Sequence, residues 1–175
     1  MSRMVRESEI SGLRERLFFA RSLLKTLNLD EDGPVGPGLA LRGGVVFHLY
    51  SVLVGIARQA ARSYQVSGYE DLISLAALEQ TFAAAGVQAP EMNLLAQARA
   101  NRSDPVFWLD QEMRAAVGAA GLARRPAAPE ERDALAIRAE DPYVPLASGD
   151  RQRLEQAATR VAELVEQCGA YMEEW

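Results

Sequence analysis

The chain has 175 residues, of which 49% are hydrophobic and 25% charged, and its formal net charge is −5. This length and balance predict a single domain spanning residues 1–175 with one core, and they exclude a chain that is disordered throughout. Its one cysteine, Cys168, excludes an intramolecular disulfide and a cysteine-based zinc site. Because the N-terminus also lacks the apolar run of a secretory signal, we expect a cytoplasmic protein.

The first predicted helix starts near Ser8 and has one apolar face. Its apolar residues recur at steps of three and four, which is the period of an amphipathic helix: Ile10, Leu13, Leu17, Ala20, Leu24 and Leu27. Asn28, three adjacent acidic residues and the glycines and prolines up to Gly38 then predict a loop.

The second predicted helix begins between Leu39 and Val45 and extends to about Tyr64. From Val45 to Ala57 it carries no charge and includes the only histidine, His48. A helix that is apolar on nearly every side belongs in the middle of a bundle. Its uncharged run of about 13 residues falls short of the roughly 20 that cross a bilayer, so we interpret it as a core helix and not as a membrane span.

Three shorter helices are predicted next. Ser67 and Glu70 have the spacing of a capping box, which predicts a helix from about Tyr69 to Ala85 that buries Leu72, Ile73, Ala76, Leu78 and Phe82. A fourth helix opens at Pro90. Ser103, Asp104 and Pro105 cap a fifth, whose apolar set is Val106, Phe107, Leu109, Met113 and Val117.

Residues 122–147 predict a long Pro-rich connection, after which Ser148 caps the last helix. That helix has a heptad-like seam, which serves either an intramolecular bundle or a homodimer: Leu154, Ala158, Val161, Val165, Cys168, Met172 and Trp175. The predicted fold is therefore all-α, an antiparallel four- to five-helix bundle with one long crossover connection.

Most motifs of enzymes are absent from the sequence. It contains no P-loop, no GxGxxG, no GxSxG, no HExxH and no Glu-x-x-His. The carboxylates of Asp30, Glu31 and Asp32 are adjacent along the chain and point in different directions, which favours a solvated loop over a cation site. We therefore expect no metal and no cofactor, and the sequence leans towards a non-enzymatic protein.

Two resemblances concern the helix that carries His48. Arg42 and His48 have the spacing of the Arg-x(4–6)-His motif, which resembles the HEPN family of small helical bundles. That resemblance implies a ribonuclease, or an inactive relative, in which arginine and histidine converge on an RNA phosphate at a dimer interface. The other reading of His48 is a buried, neutral, hydrogen-bonded core histidine.

The pairing of Leu17-Phe18-Phe19-Ala20 on the first helix with Phe47-His48-Leu49-Tyr50 on the second is similar to an uncharacterised family of small bacterial helical proteins. The resemblance covers about the first 70 residues. It implies neither an activity nor a site residue.

Three functional hypotheses remain open. The first is a protein-interaction or regulatory domain, whose partner is another protein or a second copy bound through the last helix. The second is the HEPN-like ribonuclease, although a pI near 5.0 disfavours nucleic-acid binding. The third is a small-ligand pocket lined by Phe47, Tyr50 and Trp108.

Overall fold

The computed structural model describes the backbone of residues 3–27, 35–118 and 149–173, and the side chains of residues 11–27, 36–118 and 149–171. Six helices and no strands occur in these ranges, and they are α1 (Arg3–Thr26), α2 (Val35–Ser63), α3 (Leu75–Ala85), α4 (Pro90–Ala100), α5 (Pro105–Val117) and α6 (Asp150–Glu173). The all-α class is confirmed. The predicted connection at 122–147, the acidic residues at 30–32, Ser148 and Trp175 lie outside the described residues.

Helix α2 is the centre of the molecule and contacts each of the other five described helices. Most of its side chains between Val45 and Ala61 are buried. By length and composition Gly36–Ser63 could cross a membrane, but 61% of its most apolar window is buried inside the protein. The other described helices therefore cover more than half of the surface that a bilayer would have to cover.

Helix α1 packs against α2 in the antiparallel direction. An added Cβ at Gly44 would lie 2.8 Å from Leu23 Cδ1, and one at Gly55 would lie 2.5 Å from Leu13 Cδ2. The two glycines thus permit a close approach of the helices that larger residues would block. The predicted apolar face of α1 is buried here from Leu13 to Leu27.

The seam of α6 completes the core. Its described members are all buried within the chain: Leu154, Ala158, Val161, Val165 and Cys168. The seam is therefore packed in the intramolecular bundle as far as Cys168. A homodimer through this helix remains a prediction.

The predicted start of the third helix was wrong. Helix α3 begins at Leu75, and its cap is Ser74, whose hydroxyl accepts a hydrogen bond from the Ala77 backbone N–H. Residues 67–74 are not helical, and the chain turns through positive φ angles at Gln65 (56°), just before them, and at Gly68 (78°), within them. Glycine adopts such an angle without strain, so Gly68 marks a turn and not the first turn of a helix.

Three smaller expectations also fail. Ile73, predicted to be buried, is 67% exposed, and Val117 at the end of α5 is 70% exposed. Helix α2 already includes Gly36-Pro37-Gly38, which was predicted as loop, because proline is tolerated in the first turn of a helix.

Substitution of Gly55 tests the close approach of α1 and α2. Gly55→Leu should lower the free energy of unfolding by about 1–3 kcal/mol, because its side chain would occupy the space of the buried Leu13 side chain. At Gly169, inside α6, nothing lies within 4 Å of an added Cβ. Gly169→Ala should therefore raise stability by up to about 1 kcal/mol. Urea denaturation of both variants measures the difference, and equal stability of the two would contradict the described packing.

Candidate functional site

An open groove of about 850 Å³ runs along the side of α2 that the other described helices leave uncovered. Its floor is α2, and the part of α1 between Gly12 and Phe19 forms one wall. Tyr69, Ile73 and Met113 lie on the other side. Hydrogen bonds attach both walls to α2. Arg16 Nη1 on α1 donates to the Ser51 carbonyl of α2 (3.1 Å), and Arg58 of α2 donates to the Glu70 carbonyl of the segment before α3.

Aromatic rings cluster at one end of the groove. The His48 ring centroid lies 5.7 Å from that of Phe19 and 5.6 Å from that of Phe47. Phe19 is 42% exposed and Phe47 is 51% exposed. Two large apolar rings that remain this open to water on adjacent helices mark a surface that can gain stability by being covered.

Positive charge accumulates along the rest of the groove. Among the residues that line it are the three arginines Arg16, Arg58 and Arg62, and one carboxylate, Glu15. Arg58 and Arg62 lie towards the C-terminal end of α2, away from the aromatic cluster. Although the whole chain carries −5, the formal charge of the groove lining is +2 with His48 neutral.

Tyr50 connects the floor of the groove to the core. Its hydroxyl donates to Asp110 Oδ1 on α5 (3.1 Å) and accepts from the Leu75 backbone N–H (3.0 Å). Burial, and then the nearby Asp110 carboxylate, raise the pKa of Tyr50 to about 12. The hydroxyl satisfies an N–H of the first turn of α3, which has no partner within its own helix. Tyr50 therefore helps to fix the start of α3 and is a structural residue.

Arg42 is a buried ion-pair partner and does not line the groove. Its guanidinium donates from Nε to Asp150 on α6 (3.1 Å) and from Nη2 to Glu112 on α5 (2.7 Å). The guanidinium carbon also lies 5.8 Å from the centre of the Trp108 ring. Arg42 is 2% exposed and Asp150 is 1% exposed. The cluster holds α2, α5 and α6 together.

Removal of Arg42 tests the structural role of this cluster. Arg42→Gln should lower the free energy of unfolding by about 3–5 kcal/mol, because the buried Asp150 carboxylate loses its guanidinium partner. The pair between Arg14 and Glu166 is exposed on both sides, and Arg14→Gln should change stability by less than about 1 kcal/mol. Thermal and urea denaturation measure both variants. Equal small losses would show that Arg42 is not required for the packing of α5 and α6.

Glu91 on α4 is another charged residue that is buried in the interior. Its Oε2 atom has no hydrogen-bond partner among the described residues, and burial raises the pKa of the carboxyl above its ordinary value of 4.5. Charge on Glu91 in turn contributes to the raised pKa values of Tyr64 and Cys168. Burial is the main cause of the raised pKa of the Cys168 thiol, about 12, so that the thiol is protonated at neutral pH and does not act as a nucleophile.

The raised pKa of Glu91 predicts a pH-dependent stability. The folded state binds this proton more tightly than the unfolded state does, so the stabilisation is complete below pH 4.5 and is lost as pH rises towards the raised pKa. The stability of Glu91→Gln relative to the wild type should therefore increase as pH rises from 4.5. Urea denaturation from pH 4 to 8 measures this difference. A difference that stays constant over that range would contradict the burial of this carboxyl with an unpartnered Oε2 atom.

The structure separates the predicted site residues. Arg42 lies in the interior, whereas His48 is half-buried and lines the groove, so within this chain the two do not converge on one site. His48 is also not the fully buried core histidine that the sequence favoured. Of the predicted ligand pocket, Phe47 and Tyr50 line the groove, while the half-buried Trp108 does not and packs beside Arg42.

Several groove residues were missed by the sequence reasoning. Phe19, Arg16, Arg58, Arg62 and Ile73 line the groove, and none was named as a site residue. For Arg58 and Arg62 the signal was present, because they follow the apolar run of α2 four residues apart and so share one face. Ile73 gave no signal, since its exposure depends on the non-helical backbone before Leu75.

Within the described ranges, no group of three or more His, Cys, Asp or Glu side chains is arranged to hold a metal ion. Comparison of the chain with known protein families, with curated proteins and with solved structures finds no significant match. The geometry of the groove is therefore the feature of the molecule from which a function can be inferred.

Proposed function

We propose that this protein is a binding module whose groove takes an amphipathic, acidic α-helix from a partner protein. The observation that carries the proposal is the strip of α2 that the other described helices leave uncovered, along which exposed aromatic rings and arginines of α1 and α2 share one concave surface. Helix-in-groove recognition uses such a surface: apolar side chains of the bound helix enter the groove and its charged residues meet the rim. The partner is acidic because arginine is the main charge along the lining.

The dimensions of the groove fit a helical segment. Arg62 follows Phe47 by 15 positions along α2, which corresponds to about 22 Å at a rise of 1.5 Å per residue. A partner helix of four turns has the same length. The groove is also open along its side, so a small ligand would leave most of Phe19 and Phe47 in water, whereas a helix would cover both rings.

Exposed aromatic and arginine side chains are common features of protein-binding surfaces. Phenylalanine, tyrosine and arginine are enriched in interfaces, and buried aromatic anchors supply much of the binding energy. The groove combines both kinds of residue, and Tyr69 and Ile73 also belong to its lining. The absence of enzyme motifs from the sequence agrees with a protein that acts by binding.

Adjacent phenylalanines of α1 provide a matched test. Phe19 lines the groove, whereas Phe18 is 65% exposed and does not. The probe is a synthetic 15-residue amphipathic helix with leucine on one face and glutamate on the other, measured by fluorescence anisotropy. Phe19→Ala and Phe47→Ala should each weaken binding about tenfold or more, because a buried aromatic anchor is lost. Phe18→Ala should change the affinity less than twofold.

A second peptide, in which lysine replaces every glutamate, tests the charge. It should bind at least tenfold more weakly than the acidic peptide at low salt, and added salt should reduce the difference. Equal loss of affinity in Phe18→Ala and Phe19→Ala, or a preference for the lysine peptide, would overturn the proposal. So would binding of dodecanoate or a single-stranded oligonucleotide in the absence of peptide binding.

A further inference from the structure

The groove has two chemically different ends. The aromatic end is formed by Phe19, Phe47 and His48, and the basic end by Arg58 and Arg62. Arg62 follows His48 by 14 positions along α2, which corresponds to a rise of about 21 Å. A partner helix that fills the groove therefore has apolar anchors at one end and carboxylates about four turns away.

The basic end also distinguishes the two ends of a bound helix. An α-helix carries about half a negative charge at its C-terminus and about half a positive charge at its N-terminus. Beside Arg58 and Arg62 the C-terminal end is attracted and the N-terminal end is repelled. Both arginines are near the C-terminal end of α2 itself. When the partner helix runs in the same direction as α2, its negative C-terminus and the negative C-terminus of α2 both lie beside these arginines.

We infer that the partner helix runs parallel to α2, an inference that rests on the proposed function. Its acidic C-terminal turn contacts Arg58 and Arg62, and its apolar anchors contact Phe19 and Phe47. Such a helix is antiparallel to α1, which forms the adjacent wall. Glutamate or aspartate in the last turn of a helix is unfavourable for the isolated helix, because it adds to the negative end. Binding at the two arginines removes that penalty, and the groove thereby selects helices with acidic C-terminal turns over those with acidic N-terminal turns.

Two peptides of the same composition test this direction. The forward peptide has leucines on one face of its first three turns and glutamates in its last turn, and the reverse peptide has the same residues in the opposite order. Both are acetylated and amidated, and both carry the same side-chain lactam on the outer face, so that each is a preformed helix. In the wild-type protein the forward peptide should bind about fivefold more tightly, because the two orders place opposite helix ends at the arginines.

The variant Arg58→Gln/Arg62→Gln should reduce the preference between the two peptides to less than twofold. Because Arg58 also contacts the Glu70 carbonyl, the single variant Arg62→Gln, which retains Arg58, is measured too and should also reduce the preference. The double variant Arg21→Gln/Arg102→Gln removes two exposed arginines outside the lining and should retain the full preference.

The outcomes separate the direction from the proposed function. Equal affinity for the two peptides, or a preference for the reverse peptide, overturns the parallel direction while the binding module stands. A preference that persists in Arg62→Gln and in Arg58→Gln/Arg62→Gln overturns the role of the arginines. Failure of both peptides to bind the wild-type protein overturns the direction and the proposed function together.

Discussion

The structure depends on one constraint, which is that α2 has apolar side chains around nearly its whole circumference and must be enclosed. Five helices of the described chain contact it, and they bury most of its length. A helix of this composition would otherwise leave a large apolar surface in water, at roughly 25 cal/mol for each Å². The strip that these helices leave open, from Phe47 past Ser51 to Arg62, is therefore the notable surface of the molecule.

The polar groups in the interior arrange the helices around α2. Arg42 joins α2 to α5 and α6, and Tyr50 joins α2 to α5 and to the first turn of α3. Both are on α2, so the central helix provides the apolar core and also the polar contacts that fix its neighbours. Because buried polar groups are stable only when they are paired, these contacts favour one arrangement of the helices over others with similar apolar burial. The groove is a consequence of that arrangement.

The sequence predicted the parts of the fold that depend on local pattern. The apolar steps of α1 and α6, Pro90 at the start of α4 and Asp104-Pro105 at the start of α5 all correspond to observed helices. The start of α3 was missed because it depends on the Ser74 cap and also on the hydroxyl of Tyr50, which is 25 residues from Leu75 along the chain. The role of Arg42 was missed for the same reason, since Asp150 is separated from it by 108 residues. The hydrophobic periodicity of a sequence predicts which residues are buried, but it does not predict which charged residues form ion pairs.

The candidate site could be predicted only in part. His48 and Phe47 were named as site candidates from the sequence. Their exposure to solvent could not be predicted, because it depends on how much of α2 is covered by α1. The central claim is that a partner helix fills this groove, and the most direct measurement is chemical-shift mapping of the labelled protein with the acidic amphipathic peptide. The largest shifts should follow the groove, at Phe19, Phe47, Arg58 and Ile73, with little change along α6. Shifts centred on α6, or spread evenly over the protein, would contradict the account.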